Sequence, residues 1–311
     1  MFGGFFTKKK PITSGSTEPK ISTAVANSIL NVVGAHSIPT MPAAAQKSFQ
    51  LSTDPSAEAR DFIAVIESDE ALSARVLKIA NSVFFDRGKP STTIEDSVII
   101  IGINELRCLL NATSLSEIFP SKHIARAQLW ANDIATALIS RTLAERFIPQ
   151  QAELAFLAGL MHDVGKLLLL QRANDLYGQV LKKIETEGCS FSEAEEQFFP
   201  FTHAEVGQLI AERWHFSPEL IAVIRGHHTP PTSPGTPSLT TIVHCADAFA
   251  HALGLGHPKG FGKFQNRVAE DLPSVWEKLK ITSEEHRGLL QRFQQRFDLE
   301  FDLYTGKGVA A

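Results

Sequence analysis

The sequence has little cysteine. Its three, Cys108, Cys189 and Cys245, lie far apart and form no CxxC pair. That excludes a disulfide framework and a zinc knuckle, and it fits reduced cytosolic thiols. A basic surplus is also missing: the net charge is -4 and the pI is near 6.3, unlike the positive excess of general nucleic-acid binders. No uninterrupted apolar run approaches the ~18 residues expected of a membrane span. The opening stretch, MFGGFFTKKKPITSGSTEPK, puts its apolar part before its lysines, the reverse of a secretory signal. Runs of alternating strand pattern are absent too. These gaps lead to the expectation of a cytoplasmic, all-helical protein that binds neither membranes nor nucleic acids in general.

What is present is helical period. The chain has 311 residues, 43% hydrophobic and 21% charged, enough for one large domain or two modest ones. Residues 1–22, rich in Gly, Ser, Thr, Lys and Pro, read as a loose tail. Beyond them Phe62, Ile63 and Ile66 form one apolar stripe, and Leu72, Val76 and Ile79 form another. The polar segment from Glu67 to Glu70 is the joint between them. Thr93, with Asp96 three residues on, resembles a capping box. The run SVIIIG that follows has strand character, but its flanking periods favour two helices meeting at Gly102. The lack of basic residues there argues for a helical corner, not a DNA-reading element.

Polar chemistry gathers in the second half, where nine of the eleven histidines lie beyond residue 160. In AELAFLAGLMHDVGKLLLL, Leu154, Leu157, Leu160, Val164 and Leu167 keep the buried period of one helix. His162, Asp163 and Lys166 then share a narrow arc. Three readings are open: a metal, an Asp163–Lys166 pair beside a core histidine, or a solvent-facing stripe. Thr202 and Glu205 form a capping box that puts His203 in the first turn of a helix. The helix opened by Ser217-Pro218 closes on His227 and His228, where the macrodipole favours imidazoles. Asp247 sits in an apolar helix between His244 and His251, and a carboxylate there needs a metal or an imidazole as partner.

The order His-Asp-x-Gly-Lys, then His, then His-His, then Asp resembles the HD superfamily of metal-dependent phosphohydrolases. The earlier stretch SIPTMPAAAQKSFQLSTDPSAEARDFIAVIESDEALSARVLKIANSVFF, followed by TTIEDSVIIIGINELRCLL, is similar to the HDOD family, the HD-related output domains of bacterial signalling proteins. The resemblance runs from about residue 35 to about 250. It implies an all-α fold, an N-terminal helical bundle packed against an HD-like bundle. Residues 23–250 would form the domain, divided into 23–122 and 123–250, with 251–311 as a helical extension.

By position, the resemblance implies that His162 and Asp163 are the eponymous pair and Lys166 the lysine that follows. His203, His227 and His228 correspond to ligands of the multi-metal relatives, the cyclic-dinucleotide phosphodiesterases of the HD-GYP type. Asp247 corresponds to the closing aspartate. The six His and Asp side chains are expected to converge in one cleft holding one or two divalent ions, with iron, manganese and zinc suited to such ligands. Two features depart from the multi-metal pattern. Asn132 stands where those enzymes have a histidine, with Gln128 one turn earlier, and neutral amides are weaker ligands. After His228 the chain reads TPPTSPGTP, without the Gly-Tyr-Pro signature.

Three functions compete on this reading. One is a signalling output module that acts with other signalling proteins through a metal-binding but weakly or non-catalytic site. Another is a metal-dependent phosphohydrolase acting on a nucleotide or cyclic dinucleotide, with Asp163 and Lys166 as its catalytic groups. The last is a sensor gated by a metal or a nucleotide ligand. No receiver, kinase or cyclase segment is recognisable, so the input is expected from another protein.

Overall fold

A computed structural model of the chain describes residues 20–41, 43–54, 56–85, 88–231 and 235–305. Most of the segment read as a loose tail, together with part of the TPPTSPGTP loop, lies outside the described residues. Among those described there is no strand. The fold is all-α: an N-terminal helical bundle packs against an HD-like one.

The first bundle holds α1 (Thr23–Val33), α2 (Ala43–Thr53), α3 (Ala59–Glu67), α4 (Glu70–Ala80), α5 (Ile94–Ile101) and α6 (Ile103–Ile118). The two stripes read from the sequence face inward, with Phe62, Ile66, Leu72, Val76 and Ile79 all buried. Asp69 caps α4 by accepting from the Leu72 N–H at 3.0 Å. Thr93 does the same for α5 from the Asp96 N–H at 3.1 Å. SVIIIG is therefore helical, and Gly102 makes the corner. Its φ of 80° lies in the region that glycine adopts without a Cβ penalty. Among the described residues no single helix is long and apolar enough to cross a membrane. The pair α5 and α6 has the composition, but it is bent by 107°.

The second bundle is built around α7 (Ala125–Phe147). Its buried residues run round the whole circumference, from Leu129 and Trp130 to Leu143. A helix buried on every side belongs in a core. Against it lie α8 (Ala152–Met161), reached through the 3-10 turn Pro149–Gln151, and then α9 (Val164–Arg172). The chain continues through α10 (Asn174–Glu187), α11 (Phe191–Glu195), α12 (His203–Arg213), α13 (Pro218–Gly226) and α14 (Leu239–Ala252). The last of these packs on α7. Finally α15 (Gly262–Leu279) lies along α14, and α16 (Ser283–Thr305) returns to α6 and α7.

Long-range contacts tie the halves together. Helix α1 packs on α9 and α12, and the Ile21 N–H donates to Glu212 Oε1 at 2.9 Å. Trp214 Nε1 donates to the Pro39 carbonyl at 3.0 Å. From the far end, Tyr304 on α16 donates to Glu105 on α6, which also pairs with Arg141 on α7 at 2.8 Å.

One expectation is corrected. The segment AELAFLAGLMHDVGKLLLL is not one helix: it breaks at His162 and Asp163, which close α8 and open α9. The His162 Nδ1 takes the Gly159 carbonyl at 2.6 Å, an acceptor that a continuous helix would use for its own ladder. The break turns both side chains into the protein, so the solvent-stripe reading fails.

Candidate metal centre

Five elements meet at the break. Gly165, the second residue of α9, is where α12 crosses. A Cβ there would lie 2.0 Å from the His203 carbonyl oxygen and 2.9 Å from the Gly207 nitrogen. Only two backbones in direct contact put the first residue of α12 beside Asp163. The C-terminal end of α13 adds His227 and His228, α14 adds Asp247, and α7 adds Asp133.

Asp163 is the centre of the arrangement, and it is only 3% exposed. Its Oδ2 accepts from the Lys166 ammonium and lies 3.3 Å from His162 Nε2. Its Oδ1 lies 3.1 Å from His203 Nε2 and 3.6 Å from His227 Nε2. Beyond His162, the Asp247 Oδ1 stands 3.4 Å from the same Nε2. His228 completes the group, its Nε2 2.8 Å from that of His203. Lys166 is buried too, with its ammonium 3.7 Å from the centroid of the Phe191 ring.

The donor atoms fall into two sets that share Asp163. One oxygen of Asp163 and one nitrogen each of His203, His227 and His228 lie within 4.8 Å of one another. On the other side Asp133, His162 and Asp163 do the same. Asp247 borders the second set through His162. Expected in one cleft holding one or two ions, the residues form one cluster with two donor sets, buried except at His228, which is exposed.

Three histidines are held in the tautomer that suits a metal ligand. Carbonyl and carboxylate oxygens only accept, so each fixes a proton on Nδ1 and leaves Nε2 facing inward. The acceptors are the Gly159 carbonyl for His162, Glu195 Oε2 at 2.7 Å for His203, and the Ile224 carbonyl at 3.0 Å for His227. Glu195 is itself fully buried. It also accepts from the His203 N–H at 2.8 Å and from the Tyr177 hydroxyl at 2.9 Å. Meanwhile His162 Nε2, His227 Nε2, Asp163 Oδ1, Asp133 Oδ2 and Asp247 Oδ1 are buried without a hydrogen-bond partner. So many orphaned donor atoms around one point are costly unless a cation joins them. The residues present fit a divalent metal.

The titration behaviour follows from the same contacts. Burial alone would lower the His162 imidazole, but the Asp163 and Asp247 carboxylates raise it well above its ordinary value. His203 is likewise lowered by burial and raised overall by Glu195 and Asp163. Burial dominates at His227, which falls to about 4. It also dominates at His228, lowered further by the neighbouring His227 and His203. Burial would raise Asp163, yet His162, Lys166 and His203 hold it well below the carboxylate range. At Asp133 burial, with the Asp163 carboxylate beside it, outweighs the pull of His162 and Lys166 and pushes the carboxyl well up.

The family resemblance did not extend to Asp133, Glu195, Tyr177 or Phe191. For Asp133 a signal existed: a carboxylate in the apolar run LWANDIATAL. Glu195 has none, because it arrives from a separate helix. Asn132 bonds to the chain after α14. Its Nδ2 donates to the Leu255 carbonyl at 3.0 Å and lies 3.5 Å from His251 Nδ1. Of the two histidines flanking Asp247, His251 reaches it at 3.1 Å, while His244 bonds the His227 carbonyl at 2.8 Å.

The HDOD domain family model matches residues 38–230, which spans both bundles and all of the cluster except Asp247. The chain belongs to the HDOD family. An uncharacterized protein of Treponema pallidum (strain Nichols) is 28% identical over 208 residues, 63% of this chain but only 39% of that longer protein. Two solved structures share the fold. A candidate phosphohydrolase from Shewanella amazonensis SB2B is 21% identical with a TM-score of 0.68, covering 92% of this chain and 98% of that one. A candidate signal transduction protein from Marinobacter aquaeolei VT8 is 21% identical with a TM-score of 0.69, covering 86% and 59%. As an HDOD domain the chain thus shares its fold with proteins given both kinds of role.

Proposed function

We propose that this HDOD chain is a signal-transduction output module whose His/Asp cluster binds a divalent metal and hydrolyses phosphoesters weakly or not at all. Residues 23–250 are its working unit, with the helices after 250 as a brace, and it acts through other signalling proteins. The ligands are His162, Asp163, His203, His227, His228 and Asp247, and iron, manganese and zinc all suit such a mixed set.

The observation that carries this reading is the burial of the cluster's inner residues, His228 alone of the ligands being exposed. His162, His203 and His227 are fully enclosed, and Asp163 and Lys166 are nearly so. A substrate site is normally a concavity open to its ligand. Here the Lys166 ammonium, which would have to meet a phosphate, is bonded to Asp163 and covered by Phe191. A metal held in this way is well placed to stabilise a fold or a conformation. The candidate signal transduction protein from Marinobacter supports the same direction.

The hydrolase reading has one observation of its own: Asp163 lies between two donor sets, as in two-metal phosphoesterases. A cation in such a place supplies Lewis acidity toward phosphate oxygens. One experiment separates the two. Metal-loaded protein is assayed against cyclic dinucleotides, nucleoside phosphates and an aryl phosphodiester, with Asp163→Ala as control. No turnover above the control, with metal still bound to the wild type, supports the output module. Robust turnover that vanishes in Asp163→Ala overturns it in favour of the hydrolase.

A further inference from the structure

The resemblance to the multi-metal relatives implies a histidine ligand where this chain has Asn132. The structure shows what Asn132 does instead. The turn after α14 presses on α7 there, and a Cβ on Gly256, whose φ is 73°, would lie 2.1 Å from the Asn132 nitrogen. Asn132 holds that turn through its bond to the Leu255 carbonyl. Successive residues on a helix are rotated by roughly 100°, so the next residue looks elsewhere. That residue is Asp133, and it faces the break at His162 and Asp163.

Asp133 is 1% exposed, and its Oδ2 has no hydrogen-bond partner. It shares a 4.8 Å sphere with donor atoms of His162 and Asp163. The His162 Nε2, its Nδ1 pinned by Gly159, is orphaned at the same point. Asp247 closes the far side, 3.4 Å from that nitrogen. Three buried carboxylates, Asp133, Asp163 and Asp247, therefore surround one imidazole, with Lys166 as the one buried ammonium beside them. A buried carboxylate oxygen and a buried imidazole nitrogen, both without a hydrogen-bond partner and side by side, are costly unless a cation joins them.

We infer that Asp133 is a metal ligand that takes over from the missing histidine, completing a second, carboxylate-rich site with His162, Asp163 and Asp247. The inference rests on the metal-binding reading of the cluster given above and extends it. The two sites differ in chemistry. Three imidazoles and one carboxylate favour zinc or iron, whereas three carboxylates and one imidazole favour a harder ion such as manganese. Asp163 belongs to both and couples them.

The test loads chelator-stripped, full-length protein with Zn2+ or with Mn2+ in separate samples, since zinc would displace manganese from a mixture, and counts bound metal by elemental analysis. The wild type is expected to bind manganese as well as zinc, and Asp133→Asn to lose manganese while keeping zinc. A variant that keeps its full manganese content overturns the inference. So does a wild type that binds zinc alone, an outcome that leaves the metal-binding reading intact. A wild type that binds neither ion overturns both. Should Asp133→Asn fail to fold, pulsed EPR on wild-type Mn2+ decides: one coordinated imidazole nitrogen is expected, and three would place the ion in the other site.

Discussion

A Cβ added to Gly165 would stand 2.0 Å from the carbonyl oxygen of His203. That contact sets the distance between α9 and α12, and with it the distance between Asp163 and His203. Replacing Gly165 with alanine forces the two backbones apart. Overpacking of this kind costs roughly 1–3 kcal/mol, and the upper end applies because neither partner is a flexible side chain. Denaturant unfolding of Gly165→Ala is expected to show that loss, with weaker metal binding. A variant as stable as wild type would mean the helices part freely.

Glu195 orients His203 through both its imidazole and its N–H. Outer-shell carboxylates of this kind are worth about 10–100-fold in metal affinity. Glu195→Gln should weaken zinc binding by a factor in that range with the fold retained. Tyr177→Phe, which removes one bond to the same carboxylate, should do less. Calorimetric titration measures both, and equal affinities in all three proteins would contradict the role given to Glu195.

Lys166 and Asp163 form a buried pair. Removing one member of such a pair costs about 3–5 kcal/mol, because the other charge is left alone. Metal-free Lys166→Met should be destabilised by that much. Adding metal should recover more stability in the variant than in wild type, since the cation replaces the lost ammonium. Thermal unfolding with and without zinc tests this; an equal gain in both proteins would show that Asp163 does not touch the ion.

Much of this was legible in the sequence. The helical periods placed Phe62, Ile66, Leu72, Val76 and Ile79 inside, and the HDOD resemblance pointed to the cluster's histidines and to Asp163 and Asp247. What escaped was set by distant contacts. The break at His162 arises from a side chain competing for a backbone carbonyl, and the 3.6 period cannot show that. Glu195 reaches His203 only because α11 folds back beside α12. Asn132 is a departure whose consequence appears only when the turn at Leu255 and Gly256 is seen against α7. Asp133 was visible as a charge in an apolar helix, but its direction was not.

Protonation gives a further prediction. In the metal-free protein the raised His162 and His203 bind protons that the unfolded chain releases above about 6.5. Their contribution to stability is full below that pH and is lost as pH rises through the folded values. His227, lowered to about 4, works oppositely, and its contribution is lost as pH falls from about 6.5 toward 4. A metal must displace the protons on His162 and His203. The rise in Tm on adding zinc is therefore expected to grow between about pH 6 and pH 8, with proton release in calorimetry. A rise that is flat or shrinks with pH would contradict ligation by these histidines.

Asp163 belongs to both donor sets, so its removal is the most direct test. Wild-type protein and Asp163→Ala, both checked for helical content by circular dichroism, are loaded with zinc, dialysed and analysed for metal. The account predicts stoichiometric metal in the wild type and none in the folded variant. A wild type without metal, or a variant that keeps it, would contradict the claim that this buried cluster is a metal centre.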